Sequence, residues 1–293
     1  MRARVYASGI TCAASEIAML ARDCVEFLQW ALPRLGLRWT GFRRVRGQVC
    51  KRIARRLDTL GLTTIHAYRQ RLAAEPQEWL QLDALCRITI SRFYRDRGVF
   101  ETLGEGILPA LADHACARGD TVLRAWSIGC ASGEEPYSVS LIWQLRPPPA
   151  AASLRLQILA TDVDPAVIGR ARTGVYPHSS TRDLPAPWRV QAFDIAAGRL
   201  MLRPELRRPV HFCCHDIRAR PPRLRFDLIL CRNLVFTYYE HDLQLQLAKV
   251  LGSCLRHPGA LVLGSHESLP QAVTGFERWQ HGLPIFIRNH VTG

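Results

Sequence analysis

The stretch that most limits how this chain can fold lies between Val122 and Leu145. Val122 to Trp126 is an apolar run that reads as a buried strand. Ser127-Ile128-Gly129-Cys130-Ala131-Ser132-Gly133-Glu134-Glu135-Pro136 follows as a turn with two glycines, and Tyr137 to Leu145 has the apolar spacing of a helix. A strand, a tight turn and a helix N-terminus is how open α/β sheets hold a nucleotide-like ligand, because turn amides and helix dipole both face it. Glycine serves where the backbone must bend sharply or let a ligand approach without a Cβ. The spacing departs from GxGxxG, so by itself the stretch does not specify a dinucleotide.

Beyond this point strand-like runs recur at 122–128, 155–161, 209–214, 226–231, 259–265 and 284–288, with helices between most of them. That alternation predicts βαβ units and a mainly parallel sheet. Pro147-Pro148-Pro149 ends the first helix of this region as a loop. Tyr176 to Arg208 breaks the rhythm, with Pro177, Pro185, Pro187 and Pro204. Strand-like pieces near Ala192-Phe193 and Arg199 to Arg203 flank Gly198, a turn residue, and predict a small antiparallel insertion. Residues 1–98 differ again. Glu16 to Leu32, Arg43 to Leu60, Thr64 to Ala74 and Pro76 to Ile88 carry helical periodicity. Gly61 ends the second of these helices, and Thr63 or Thr64 caps the third. The expected organisation is a helical domain over 1–98 and an α/β domain over 99–293, with the insertion at 176–212.

With 293 residues, 48% of them apolar and 22% charged, the chain has the composition of a globular protein with a substantial core. No apolar run approaches the ~20 residues of a membrane span, and the first twenty residues lack the apolar stretch of an export signal. The ten cysteines are scattered without a CxxC pair, which argues against a metal site and against a disulfide scaffold; as small hydrophobes they fit a reducing cytoplasm. The net charge of +14 implies an anionic partner. The second helix concentrates that charge in Arg43, Arg44, Arg46, Lys51, Arg52, Arg55 and Arg56, against a buried stripe of Val45, Val49, Ile53 and Leu57. Like charges at i,i+4 repel, so seven cations with no acid before Asp58 point to a docking surface for something acidic.

Polar residues gather at strand ends. Asp162 ends the second strand of the α/β domain, where an acid can accept both hydroxyls of a ribose. It could instead cap the helix from Pro165, a role Asp164 could also fill. Cys231-Arg232-Asn233-Leu234 ends the fourth strand, and His215-Asp216 and His266-Glu267 are weaker cases of the same kind. Several such groups on one sheet edge suggest a shared site more than separate caps.

Arg92-Phe93-Tyr94-Arg95-Asp96, Ser127 to Ser138, Ala160-Thr161-Asp162-Val163-Asp164, Gly174-Val175-Tyr176, Cys231-Arg232-Asn233 and Gly264-Ser265-His266-Glu267 follow one another in the order found in the CheR-type methyltransferases. From about Gly36 to Ile287 the chain resembles that family. The resemblance implies a Rossmann-like S-adenosylmethionine methyltransferase domain with a small antiparallel β insertion, preceded by a helical N-terminal domain. It implies an S-adenosylmethionine-dependent protein-glutamate O-methyltransferase, with S-adenosylhomocysteine as product. The family's substrates are glutamates on acidic cytoplasmic helices of chemoreceptors, which the basic helix would face. By the same analogy Thr89, Ser91, Arg95, Gly129, Glu135, Asp162, Asp216, Ile217, Asn233 and Leu234 would contact the cofactor. Asp162 would hold the ribose, with Asp216 and Ile217 beside the adenine. Arg95 and Tyr238 would stand near the transferring methyl group.

The chain departs from the family in three places. Arg232-Asn233 is followed by Leu234-Val235-Phe236-Thr237-Tyr238-Tyr239-Glu240; with one residue inserted the family's tyrosine falls on Tyr238, and without it on Thr237. Thr89 and Asp216 stand where the family has asparagines, and both keep hydrogen-bonding capacity. The Ala196-Ala197-Gly198 turn is tighter than the glycine-containing loop with which some members grip a receptor's C-terminal pentapeptide, so no such tether is expected. The alternative function is an RNA or small-molecule methyltransferase on the same scaffold. The arginines of the helical domain have no aromatic platform among them, which disfavours nucleic acid.

Overall fold

The computed structural model describes residues 23–280 and 282–288, so the expected first helix, from Glu16, lies partly outside the described residues. The chain divides into two compact units. One comprises the described residues up to Ile88 together with Tyr238–Glu240; the other holds Thr89–Thr237 and the residues from His241 onward.

The first unit is helical: α1 (23–31), α2 (Arg46–Leu60), α3 (Ile65–Ala74) and α4 (Pro76–Leu85). Val49, Ile53 and Leu57 recur every four residues on α2 and are buried, while Val45 is half-buried. The helix starts three residues later than the charge run suggests. A single helical turn, Trp39–Phe42, precedes it, and Arg43 to Val45 form the turn between. Gly61, at φ 66°, ends α2 by turning its amide back to Leu57 and Asp58 carbonyls. Of the two threonines, Thr64 caps α3, its hydroxyl accepting from the Ala67 amide at 3.1 Å. Phe27, Leu28, Tyr68, Leu72 and Leu82 fill the interior.

Cys24 and Cys50 form a disulfide joining α1 to α2, with Cα atoms 6.0 Å apart. The scattered cysteines argue against a disulfide scaffold and for a reducing setting, and this one bridge departs from that expectation. Two helices packed side by side bring together Cβ atoms 26 positions apart in sequence, a proximity that spacing motifs do not encode. Among the described residues seven other cysteines are free, and Cys86, Cys130, Cys231 and Cys254 are buried as expected of small hydrophobes.

The second unit is built on a seven-stranded sheet with β1 (Val122–Ile128) near its middle. β2 (Arg155–Asp162) and β6 (Val210–Cys214) extend it on one side; β7 (Phe226–Leu230), β8 (Leu255–Val262), β10 (Ile285–Arg288) and β9 (Glu277–Arg278) extend it on the other. The order β6-β2-β1-β7-β8-β10-β9 reverses direction between β1 and β7, and β10 pairs antiparallel with both β8 and β9 while the other pairs are parallel. A crevice at such a reversal, at the carboxyl ends of the strands, is the binding place of open α/β sheets. The helices between the strands include α7 (Glu134–Leu145), α8 (Pro165–Thr173), α9 (Ala186–Ala192) and α10 (His241–Cys254). Before the sheet, α5 (Arg97–Thr102) runs through a π-helical turn, Leu103–Ile107, into α6 (Leu108–Ala117).

The insertion is a three-stranded antiparallel sheet, with β5 (Arg199–Leu202) between β3 (Val175–Tyr176) and β4 (Phe193–Ala196). Ala197 and Gly198 turn β4 into β5, both at positive φ, as a two-residue hairpin of this twist demands. No helix among the described residues is long and apolar enough to cross a membrane.

Candidate active site

The glycine turn is stitched to the tip of β2. Gly129 and Cys130 amides both donate to the Thr161 carbonyl, at 2.8 and 3.0 Å. Gly129 sits at φ 68°, and a Cβ there would come within 2.8 Å of Leu234 Cδ2. Leu234 therefore roofs a bare piece of backbone, and the left-handed φ strains any residue that carries a Cβ there. The Ala131 amide donates to one Asp162 oxygen at 3.0 Å, and the Asp164 amide to the other at 3.0 Å. Asp164 caps α8 through the Ala166 amide at 2.8 Å. The cap and the strand-end carboxylate are thus two different residues, and Asp162 is held on the crevice rim by backbone donors.

Arg232 joins the rest of the rim. It follows β7, and only 3% of its side chain is exposed. Its Nη1 donates to Glu135 Oε2 at 3.1 Å; its Nη2 donates to Asp96 Oδ2 at 2.7 Å and to the Arg95 carbonyl at 2.8 Å. The guanidinium also lies 5.0 Å from the Phe100 ring centre. The other Glu135 oxygen accepts from the Ser127 hydroxyl at 2.7 Å. Burial pushes the Glu135 carboxyl above its usual range, and the Arg232 charge opposes that shift.

The Arg95 segment is locally strained, since Tyr94 and Asp96 on either side of it have φ of 58° and 62°. The Tyr94 amide donates to Ser138 Oγ at 2.9 Å, and Ser138 Oγ donates to the Glu134 carbonyl at 2.6 Å. Arg95 Nη1 donates to the Ile90 carbonyl at 3.0 Å. Ser91 hydrogen-bonds the Glu134 carboxylate, whose burial raises its pKa. Among the described residues nothing donates to Glu134 Oε2, which is buried without a hydrogen-bond partner.

Asn233 adopts φ 53°, and its amide donates to Glu267 Oε2 at 2.7 Å. That carboxylate also accepts from the Gly264 amide and, at 2.6 Å, from the Thr237 hydroxyl. Glu267 is buried and His266 beside it is exposed, so the acid fixes the β7 and β8 loops to one another. Ile217 is buried, and Thr89 is half-buried at the start of the unit. Asp216 is gripped by Arg218, with Nε 3.0 Å from each oxygen and Nη2 2.8 Å from Oδ2.

Gly129, Glu135, Asp162, Asn233, Leu234 and Arg95 therefore meet at the ends of β1, β2 and β7. Tyr238 groups with the helical unit and Thr237 with the α/β unit. Within the helical unit the Tyr238 carbonyl accepts from the Arg38 amide at 2.8 Å, and its ring lies 5.0 Å from that of Phe42. Sequence reasoning noticed the Arg232-Asn233 and His266-Glu267 pairs without assigning Arg232 or Glu267 a task, and it passed over Glu134. The available signal was position at a strand end; the partners became visible only through the fold.

The cationic helix divides in two. Arg43, Arg44, Arg46, Lys51 and Arg55 are exposed. Arg52 donates to the Leu85 and Arg87 carbonyls, and Arg56 grips Glu78 with Nε at 2.9 Å and Nη2 at 2.6 Å. These last two turn inward and serve the helical packing.

The rim's acceptors suit an adenosyl sulfonium: a fixed carboxylate at the β2 tip matches a ribose diol, and the unfilled Glu134 acceptor matches an amino group.

Residues 89–282 match the family described as CheR methyltransferase, SAM binding domain. A chemotaxis protein methyltransferase of Listeria innocua is 29% identical over 250 residues, covering 85% of this chain and 91% of its own. The chemotaxis protein methyltransferase of Escherichia coli is 30% identical over 232 residues, 76% of this chain and 77% of its own. An uncharacterized 104.1 kDa protein of Rhodobacter capsulatus is 32% identical over 78% of this chain, which spans only 24% of that longer protein. Strand order, rim chemistry and the length of the match agree: the chain belongs to the CheR methyltransferase family, and its α/β unit is an S-adenosylmethionine-binding domain.

Proposed function

We propose that the protein transfers a methyl group from S-adenosylmethionine to glutamate side chains of chemoreceptor-type signalling proteins, leaving glutamate methyl esters. The observation that carries this reading is the rim, where the fixed carboxylate Asp162 shares a strand-end crevice with Arg95, itself tethered through Arg232 to Glu135. The relatives from Listeria innocua and Escherichia coli, named chemotaxis protein methyltransferases, support a methyltransferase that acts in chemotaxis.

Bound S-adenosylmethionine would supply a methyl that an anionic carboxylate oxygen attacks, the O–CH3 bond forming as the S–CH3 bond breaks, so that the sulfur leaves as the neutral thioether of S-adenosylhomocysteine and charge is neutralised. A glutamate is already ionised at pH 7, so the reaction requires no general base. What remains for the protein is alignment and exclusion of water. Asp162 receives the ribose hydroxyls, and Ile217 lends an apolar wall to the adenine. Thr89, Ser91, Asn233 and the Gly129 backbone border the remainder. Arg95 orients the incoming carboxylate with its two-pronged guanidinium. On the helical unit, the five exposed cations of the α2 region receive the acidic receptor helix, while Arg52 and Arg56 brace it from within. The tight Ala197-Gly198 turn speaks against reliance on a receptor tail peptide, and micromolar binding of such a peptide would refute that part.

The deciding experiment supplies radiolabelled S-adenosylmethionine and candidate chemoreceptor cytoplasmic fragments, then treats the product with mild base. Label released as methanol identifies a carboxyl ester; stable label identifies methylation of a base or an amine. Arg95→Ala is expected to abolish transfer. Asp162→Ala is expected to raise the KM for S-adenosylmethionine about tenfold, as loss of charge-assisted hydrogen bonds predicts. Full turnover by Arg95→Ala rejects the mechanism.

A further inference from the structure

At the amino ends of the strands, the sheet edge opposite the cofactor rim, four arginines from separate segments line a cavity of about 480 Å3. Arg118 follows α6, Arg225 precedes β7, Arg256 opens β8 and Arg288 ends β10. Ser253 and His257 contribute to the wall. Two carboxylates meet this charge. Asp227, fully buried, pairs with Arg118 and lies 3.7 Å from Arg256; Asp120 lies 2.9 Å from Arg118 and 3.6 Å from Arg256. These contacts neutralise Arg118 and Arg256 and bind the sheet's end together.

Arg225 and Arg288 are left over. Among the described residues no carboxylate pairs with either. Arg225 Nη1 donates to the Ser253 and Leu255 carbonyls, and Arg288 Nη1 is buried with no hydrogen-bond partner among the described residues. Burial holds the Arg288 guanidinium below the usual arginine range, and the Arg225 charge pushes the same way. Gly252 on α10 makes the seat possible, because a Cβ there would lie 3.3 Å from Arg288 Nη1. Two neighbouring cations, one with a buried unfilled donor, are costly unless an anion joins them.

The geometry points to a second ligand site at this edge, which takes the phosphate group of a small phosphorylated molecule. Two uncompensated guanidiniums ask for a dianion, and a phosphate monoester carries roughly that charge near pH 7 with three acceptor oxygens. Planar guanidinium forks match phosphate geometry, and lysines do not line this cavity. The volume exceeds what phosphate alone occupies and lies in the range of roughly 300–1,000 Å3 of small-molecule sites. β1 has seven residues at about 3.3 Å each, which puts this cavity about 20 Å from the cofactor rim. Occupancy there does not displace S-adenosylmethionine.

The test titrates the full chain, saturated with S-adenosylhomocysteine, with inorganic phosphate and with glucose 6-phosphate at low ionic strength. At least one probe is expected to bind with Kd below about 1 mM. Tighter binding of glucose 6-phosphate identifies an organic phosphate as the natural ligand, and equal binding identifies the free ion. Arg288→Gln and Arg225→Gln, each verified as folded by unchanged S-adenosylhomocysteine affinity, are expected to weaken binding about tenfold. If Arg288→Gln fails that check, Arg225→Gln carries the test, and the two positions serve as each other's control. No heat of binding from either probe at about 10 mM, or undiminished binding in the folded variants, overturns the assignment.

Discussion

Removing the Arg232 guanidinium would leave Glu135 buried against Ser127 alone and would release Asp96 and the Arg95 carbonyl together. Breaking a buried pair from one side costs about 3 kcal/mol, so Arg232→Ala is expected to lower the urea midpoint markedly. Arg232→Lys keeps the charge but not the fork, cannot reach three acceptors in one plane, and is expected to recover only part of the loss. Urea unfolding of the three proteins, with S-adenosylhomocysteine affinity measured in parallel, checks this; an Arg232→Ala midpoint equal to wild type contradicts it. The same residue shows what could be read in advance. Its place after a buried strand is plain in the sequence, as are the glycine turn and the acid at the β2 tip. Its partners are not, because Glu135 lies 97 positions away and Asp96 lies 136 positions away, and only the sheet order brings them together. Glu267 repeats the lesson, since its three donors come from two loops.

On α2, periodicity identified Val49, Ile53 and Leu57 as the buried stripe but could not separate the two inward cations from the exposed ones. Arg56 and Arg52 sit at the stripe's margin, where long side chains turn either way, and the acceptors that draw them lie on and just beyond α4. Glu78 makes the difference measurable. Its carboxylate accepts from Arg56 and, at 2.9 Å, from the Tyr68 hydroxyl. The Arg56 hydrogen bond holds its pKa below the usual range, although burial works the other way. A carboxyl with a folded pKa below its unfolded value of about 4.3 stabilises the fold above that value. The contribution then fades as pH falls through the lower, folded pKa. Glu78→Gln is expected to lose about 2 kcal/mol at pH 7 and to flatten the acid limb of the stability profile. Thermal melts of both proteins between pH 7 and pH 3 check it, and an unchanged acid limb would show that Glu78 is not the group responsible.

For the molecule as a whole, the excess of 39 basic over 25 acidic side chains raises the question of where the surplus of 14 is used. Part of it is internal: Arg52, Arg56, Arg118, Arg232 and Arg256 are spent on carbonyls and carboxylates of the fold. The exposed remainder includes Arg43, Arg44, Arg46, Lys51 and Arg55, gathered within thirteen positions on the helical unit. Such a patch should act on encounter with an acidic helix, and its effect should weaken as the screening length falls from about 10 Å at 0.1 M salt to about 3 Å at 1 M. The cofactor rim is different, because its key charges are paired and buried and are little screened. Raising salt from 50 to 500 mM is therefore expected to lower kcat/KM for a receptor fragment about tenfold, while S-adenosylhomocysteine affinity changes less than about twofold. Replacing Arg43, Arg44 and Arg46 together by Gln should reproduce the loss at low salt and flatten the salt dependence, leaving kcat at saturating receptor near its original value. If the triple variant kept both the rate and its salt dependence, the acidic partner would be engaging some other part of the cationic surface.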